Sequence, residues 1–196
     1  MNKKHFLILE SAGTVIIFII ATFLHFLYDL NPTSLTALLG SVNESIWEHM
    51  KIFATAYGVY GFVELLWARP NLKRFAVAKA LGLYVMVLSI PALYYSYTFF
   101  SRKSIFIIDL LTGLLSAGLG FLVSYKLYTS DRKIEKYFPT SLMMLFLMLM
   151  AVVSFTFFPP ETELFRDVVT STFGIPDKNM DMGAFALEKL KNVDIF

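Results

Sequence analysis

Two histidines and several carboxylates stand at spacings that put them on shared helical faces. His25 and Asp29 are four residues apart, and so are Glu44 and Glu48 in Val42-Asn43-Glu44-Ser45-Ile46-Trp47-Glu48-His49. Side chains four apart are neighbours on a helix, and His49 lies about 100° round from Glu48 at 3.6 residues per turn. Imidazole combined with carboxylate oxygen is a donor set for Zn, Mn or Fe(II). A partly buried carboxyl beside another carboxylate can also serve as a general base near neutral pH. His25, Glu44, Glu48 and His49 are therefore the candidate ligands of a divalent metal such as Zn, and Glu44, Glu48 and His49 the candidate catalytic groups. Asp29, Asn43 and Asp109 are candidates to orient them. Arg166 and Asp167, near the C-terminus, are further ligand-binding candidates that can reach the same level.

No standard signature supports this chemistry. H-E-x-x-H is absent, and an inverted H-x-x-E-H would need histidine at position 45, where the chain has Ser45. G-x-S-x-G, Walker A and G-x-G-x-x-G patterns are missing as well. The chain has no cysteine, which removes disulfides, thiolate ligands and thiol nucleophiles. Each candidate also has a plainer role. Ser41-x-x-Glu44 reads as a capping box, Trp47 as an interfacial anchor, and Glu48 with Lys51 as an i,i+3 ion pair. Glu10 and Glu64 read as residues near the cytoplasmic interface whose long side chains reach water, and His5 as interfacial. The methionines Met143, Met144, Met148 and Met150 read as adaptable apolar packing.

The elements that position these residues follow from composition. Hydrophobic residues make up 57% of the 196 and charged residues 16%, and mean hydropathy is +0.63. A soluble domain carries about 25% charged residues, so this composition implies an all-α polytopic membrane bundle. The net charge of +2, with its basic residues dispersed, excludes a nucleic-acid footprint. Crossing the hydrocarbon takes about 20 apolar residues. Five segments qualify or come close: Phe6–Tyr28, Ile52–Ala68, Phe75–Phe100, Ile105–Tyr125 and Phe138–Phe158. The first is too long for a signal-peptide core and has no A-x-A-like site after it, so it reads as an uncleaved span. The second continues as helix upstream to about Ser41, and Pro91 is expected to kink the third.

Basic residues favour the cytoplasmic side. With the N-terminus inside, ten of seventeen Lys and Arg but only four of fifteen acids fall on that side. The expected organisation is a bundle over 1–158 and an extracytoplasmic acidic tail over 159–196, whose part from Pro159 to Pro176 folds over the polar cluster. Membrane lipids are the expected surroundings. Gly113, Ser116, Ala117 and Gly120 in the fourth span offer a face for close helix contact, a candidate homo-oligomer surface.

The octapeptide Val42–His49 resembles the V-N-E-S-[VI]-W-E-H signature of an uncharacterised family of small bacterial multi-pass membrane proteins. His25-Phe26-Leu27-Tyr28-Asp29 is similar to the element that precedes it there. Phe158-Pro159-Pro160, Leu164-Phe165-Arg166-Asp167 and Thr170 to Gly174-Ile175 are similar to its C-terminal element. The resemblance covers essentially the whole chain. It implies a bacterial cell-membrane protein in which these three elements belong together, and it brings no activity. Three functions stay open: a metal or polar-ligand site acting on a lipid or lipid-linked substrate, an oligomeric ion or proton transporter subunit, and a non-enzymatic accessory protein.

Overall fold

The computed structural model describes residues 2–176. Among them are six α-helices and no β-strand: α1 Lys3–Leu30, α2 Ser34–Leu39, α3 Ile46–Ala68, α4 Leu72–Ser101, α5 Phe106–Thr129 and α6 Phe138–Phe157, the last entered through a 3-10 turn at Ile134–Tyr137. Four helical segments are long and apolar enough to cross a membrane: α1, α4, α5, and the 3-10 turn together with α6. Their outward faces are apolar, with Ile19 and Phe23 on α1, Leu88 on α4, Leu115 on α5 and Phe146 on α6 all exposed. Helices satisfy their own backbone groups, and the apolar faces meet lipid. The protein is an integral membrane helix bundle.

The remaining long helix, α3, is built differently. Its 23 residues reach about 35 Å at 1.5 Å each. It carries Glu48, Lys51 and Glu64, all buried. Trp47, Met50, Phe53, Ala56, Tyr57 and Tyr60 pack inward from it into the main core, with α1 and α4 as its chief neighbours. Because α1 and α4 screen much of it from lipid, α3 tolerates charge that an outer helix would not.

Consecutive long helices alternate in direction. Phe6 at the start of α1 packs with Phe75 at the start of α4 and Tyr128 at the end of α5. At the opposite end, the Ser41 N–H donates to Leu24 O of α1. The α4–α5 pair makes the most extensive helix contact, and glycines permit it. A Cβ on Gly120 would stand 2.7 Å from Met86 Cβ and 2.8 Å from Gly82 O, and one on Gly113 would meet the Phe53 ring at 2.7 Å. Gly113, Ser116, Ala117 and Gly120 are buried inside this one chain, so the close-contact face on α5 is occupied by α3 and α4.

Local structure departs from expectation between α1 and α3. A capping box at Thr33 and Thr36 starts the short helix α2, which the Asn31-Pro32 turn signal alone did not predict. α3 starts at Ile46 with Ser45 as its N-cap, not near Ser41. The Glu48 N–H bonds the Ser45 hydroxyl at 3.4 Å, while the Ser41 hydroxyl donates to Asn43 O. The capping role thus falls four residues later than the Ser41-x-x-Glu44 pattern suggested. α4 runs on through Pro91.

Candidate functional site

Three elements bring His25, Glu44 and His49 to one point: the last third of α1, the α2–α3 connection and the first turn of α3. His25 Nε2 is 3.4 Å from Glu44 Oε1, and His49 Nε2 is 3.8 Å from Glu44 Oε2. The two imidazole rings are 5.3 Å apart between centroids. One ligand atom from each residue lies within 4.8 Å of the others. The side chains are partly open, at 20% for His25, 15% for Glu44 and 36% for His49.

The His49 ring is fixed from behind. Its Nδ1–H donates to Ser45 O at 2.9 Å, an i→i−4 bond that helix geometry supplies without help from another element. With Nδ1 the donor, Nε2 presents its lone pair towards the Glu44 carboxylate. Two electron-rich groups then face each other, an arrangement that attracts a cation. Tetrahedral Zn with bonds of about 2.0–2.2 Å places its ligand atoms about 3.3–3.6 Å apart. The His25–Glu44 separation of 3.4 Å falls in that range, and the His49–Glu44 separation of 3.8 Å is wider and made to the other carboxylate oxygen.

Glu48 does not join this group. It points into the bundle, 2.6 Å from Lys51 Nζ, and its Oε2 accepts the Val42 N–H at 2.9 Å. Lys51, fully buried, donates to Ala37 O at 2.8 Å and to the Thr156 hydroxyl at 3.3 Å. The i,i+4 spacing to Glu44 carries no shared face, because Glu44 precedes the helix that holds Glu48. One buried ion pair therefore ties α2, α3 and α6 together below the histidines.

Of the other candidates, Asn43 fastens the segment after α6 to this region. The Asn43 side-chain amide donates to Gly174 O at 2.9 Å, and its Oδ1 accepts the Ser45 N–H at 2.9 Å. The Trp47 backbone N–H donates to Leu164 O at 2.9 Å. The Trp47 ring packs on Phe155 and Phe165 at 5.2 Å each, so it is a buried core residue and not an anchor in the interface. Asp167 is buried and accepts from the Val169 N–H and the Thr170 hydroxyl, each at 2.8 Å, shaping the turn that brings 166 back to pair with 173 within the strap, the segment 159–176 that follows α6. Arg166 is exposed and pairs with Glu163 at 3.1 Å. Asp109 takes hydrogen bonds from the Tyr97 and Ser104 hydroxyls at the α4–α5 corner. Asp29 is half-buried, one turn beyond His25. The tail from 177 onward lies outside the described residues.

A second polar cluster lies at the far end of the bundle. Glu10 and Glu64, read from sequence as residues near the cytoplasmic interface, are buried and paired with the buried Lys79. The charges on α1, α3 and α4 carry no local spacing signal, since their meeting depends on helix packing.

Fold and site together define a polytopic membrane helix bundle with a histidine–carboxylate group at one end. The chain belongs to a family of unknown function, DUF6512, whose model matches residues 1–175. That span includes the histidines, Glu44 and the strap as far as 175. No curated protein and no solved structure matches the chain significantly.

Proposed function

We propose that this protein binds a divalent transition metal, Zn by preference, through His25, Glu44 and His49. The metal acts on a polar group of a lipid or lipid-linked substrate at the outer membrane face. The observation that carries the reading is the fixed His49 tautomer, which turns a lone pair towards a carboxylate that already faces a second imidazole. Three protein ligands leave a fourth position for water or substrate, the arrangement of catalytic rather than structural zinc sites. Partial exposure of His25 and His49 fits such an open position, and the surrounding lipid favours an amphiphilic substrate. Zn-bound water titrates near neutral pH and would supply the nucleophile. The excess of basic residues in the opposite loops supports the outward placement.

A second reading has its own support. Asn43, Trp47 and Glu48, the most distinctive residues of the octapeptide, all serve to hold the strap and α6 to α3. On that reading the motif is a structural lock in an accessory protein.

Elemental analysis and zinc titration of the purified protein in detergent separate the two. The metal reading predicts about one zinc per chain, lost in His25→Ala, Glu44→Gln and His49→Ala while the fold persists. A wild-type chain that takes up no divalent metal would leave the lock as the surviving explanation.

A further inference from the structure

Lys79 of α4 is surrounded by acid and aromatic groups deep in the bundle. Its ammonium is 3.0 and 3.1 Å from the two oxygens of Glu10 on α1, and 2.6 Å from Glu64 Oε2 on α3. The Ser124 hydroxyl of α5 donates to Glu10 Oε1 at 2.8 Å. The rings of Phe6, Tyr57, Tyr60, Phe75 and Phe121 lie between 4.7 and 5.9 Å from the ammonium, close enough for cation–π attraction.

The charge count does not balance. Two carboxylates and one ammonium leave one negative charge in excess, and among the described residues no other cation pairs with the cluster. The Tyr60 hydroxyl donates to Leu9 O and so gives nothing to the acids. The Tyr128 hydroxyl, on the nearby turn of α5, accepts the Asn71 N–H. The Tyr57 hydroxyl is buried and without a hydrogen-bond partner among the described residues. At the same level Leu7, Ile8, Phe62, Val63 and Leu66 face outward and exposed, which places the cluster within hydrocarbon. An unbalanced charge there is costly, and ionisable groups kept at such depth mark sites of ion or proton handling.

We propose that Glu10, Glu64 and Lys79 form a proton-binding site, in which the two carboxyls hold one exchangeable proton beside a charged Lys79. One proton brings the net charge to zero. Glu64 lies four residues from the end of α3, about 6 Å along the helix, so exchange runs to the solution at that end. The site is separate from the histidine cluster and independent of any metal there. The carboxyls could alternatively be balanced by a sodium ion, which the experiment distinguishes.

Infrared difference spectroscopy of the full chain in lipid vesicles reads the carbonyl stretch of protonated carboxyls directly. At neutral pH the wild type should show one such band that disappears at alkaline pH. Glu64→Gln and Glu10→Gln should each abolish it, because either leaves a balanced carboxylate–ammonium pair. Lys79→Met should raise it to about twice its intensity, both acids then being neutral. Either glutamine variant leaves charge balanced and hydrogen-bonding shape intact, so folding does not obscure the result. Absence of the band in the wild type, its survival in both glutamine variants, or its dependence on sodium in place of pH would each overturn the proposal.

Discussion

The Asn43 side chain donates to the carbonyl of Gly174, 131 positions away in the chain, at 2.9 Å. Its amide oxygen meanwhile holds the Ser45 N–H. One side chain thereby fixes the start of α3 and the end of the strap at once, beside the histidine cluster. Asn43→Ala strands two buried backbone groups, at about 1–3 kcal/mol for each. The expected outcome is a lower unfolding midpoint and faster proteolysis between 159 and 176. Gly174 sits at φ 73, where a Cβ would also press Pro159 Cγ at 3.0 Å. Gly174→Ala should therefore loosen the same strap, by about 1–2 kcal/mol, visible as faster amide exchange at Ser45.

Glu48 and Lys51 should behave as a pair. Breaking a buried ion pair from one side leaves an uncompensated charge and costs about 3–5 kcal/mol. Lys51→Met is expected to destabilise by about that much. The double variant Glu48→Gln with Lys51→Met should recover most of the loss, since neither residue then carries charge. Unfolding of the two single variants and the double variant in detergent gives the coupling, and simple additivity would contradict the pairing.

Trp47 makes a prediction about area. Its ring is buried between Phe155 and Phe165, and its indole N–H has no hydrogen-bond partner among the described residues. Trp47→Ala should cost about 3–5 kcal/mol, the range for a large buried aromatic. Trp47→Phe should cost clearly less, because no hydrogen bond is lost with the indole. Thermal unfolding of the two variants provides the comparison.

Glu44→Gln should weaken zinc by more than about 100-fold, beyond the 10–100-fold typical of losing an outer-shell partner. Calorimetric titration of zinc into the wild type and the variant measures the loss.

Much of the architecture is legible in the chain because membrane burial imposes a local rule. A helix facing lipid must be apolar for about 20 residues, and that requirement can be read one segment at a time. Four of the five expected spans appear in sequence within a few residues of α1, α4, α5 and α6. The proximity of His25, Glu44 and His49 was also foreseeable, since the first two expected spans are adjacent in sequence and their polar residues sit at facing ends. Glu48 was misplaced with them because spacing assumes a continuous helix, whereas Ser45 starts α3 between Glu44 and Glu48.

What the sequence determined by itself is the class, an apolar helix bundle with its unusual polar residues clustered towards one end. Tertiary structure decided the partners. It turned Glu48 inward to Lys51, set Asn43 against Gly174, and carried Glu10, Glu64 and Lys79 from apparent interfaces into one buried cluster. The reason is physical. Hydrophobic length acts along the chain, but the pairing of buried charges depends on which helices pack together. That packing is set by contacts such as Gly82 against Gly120, where local spacing marks the α5 face but not the helix that fills it.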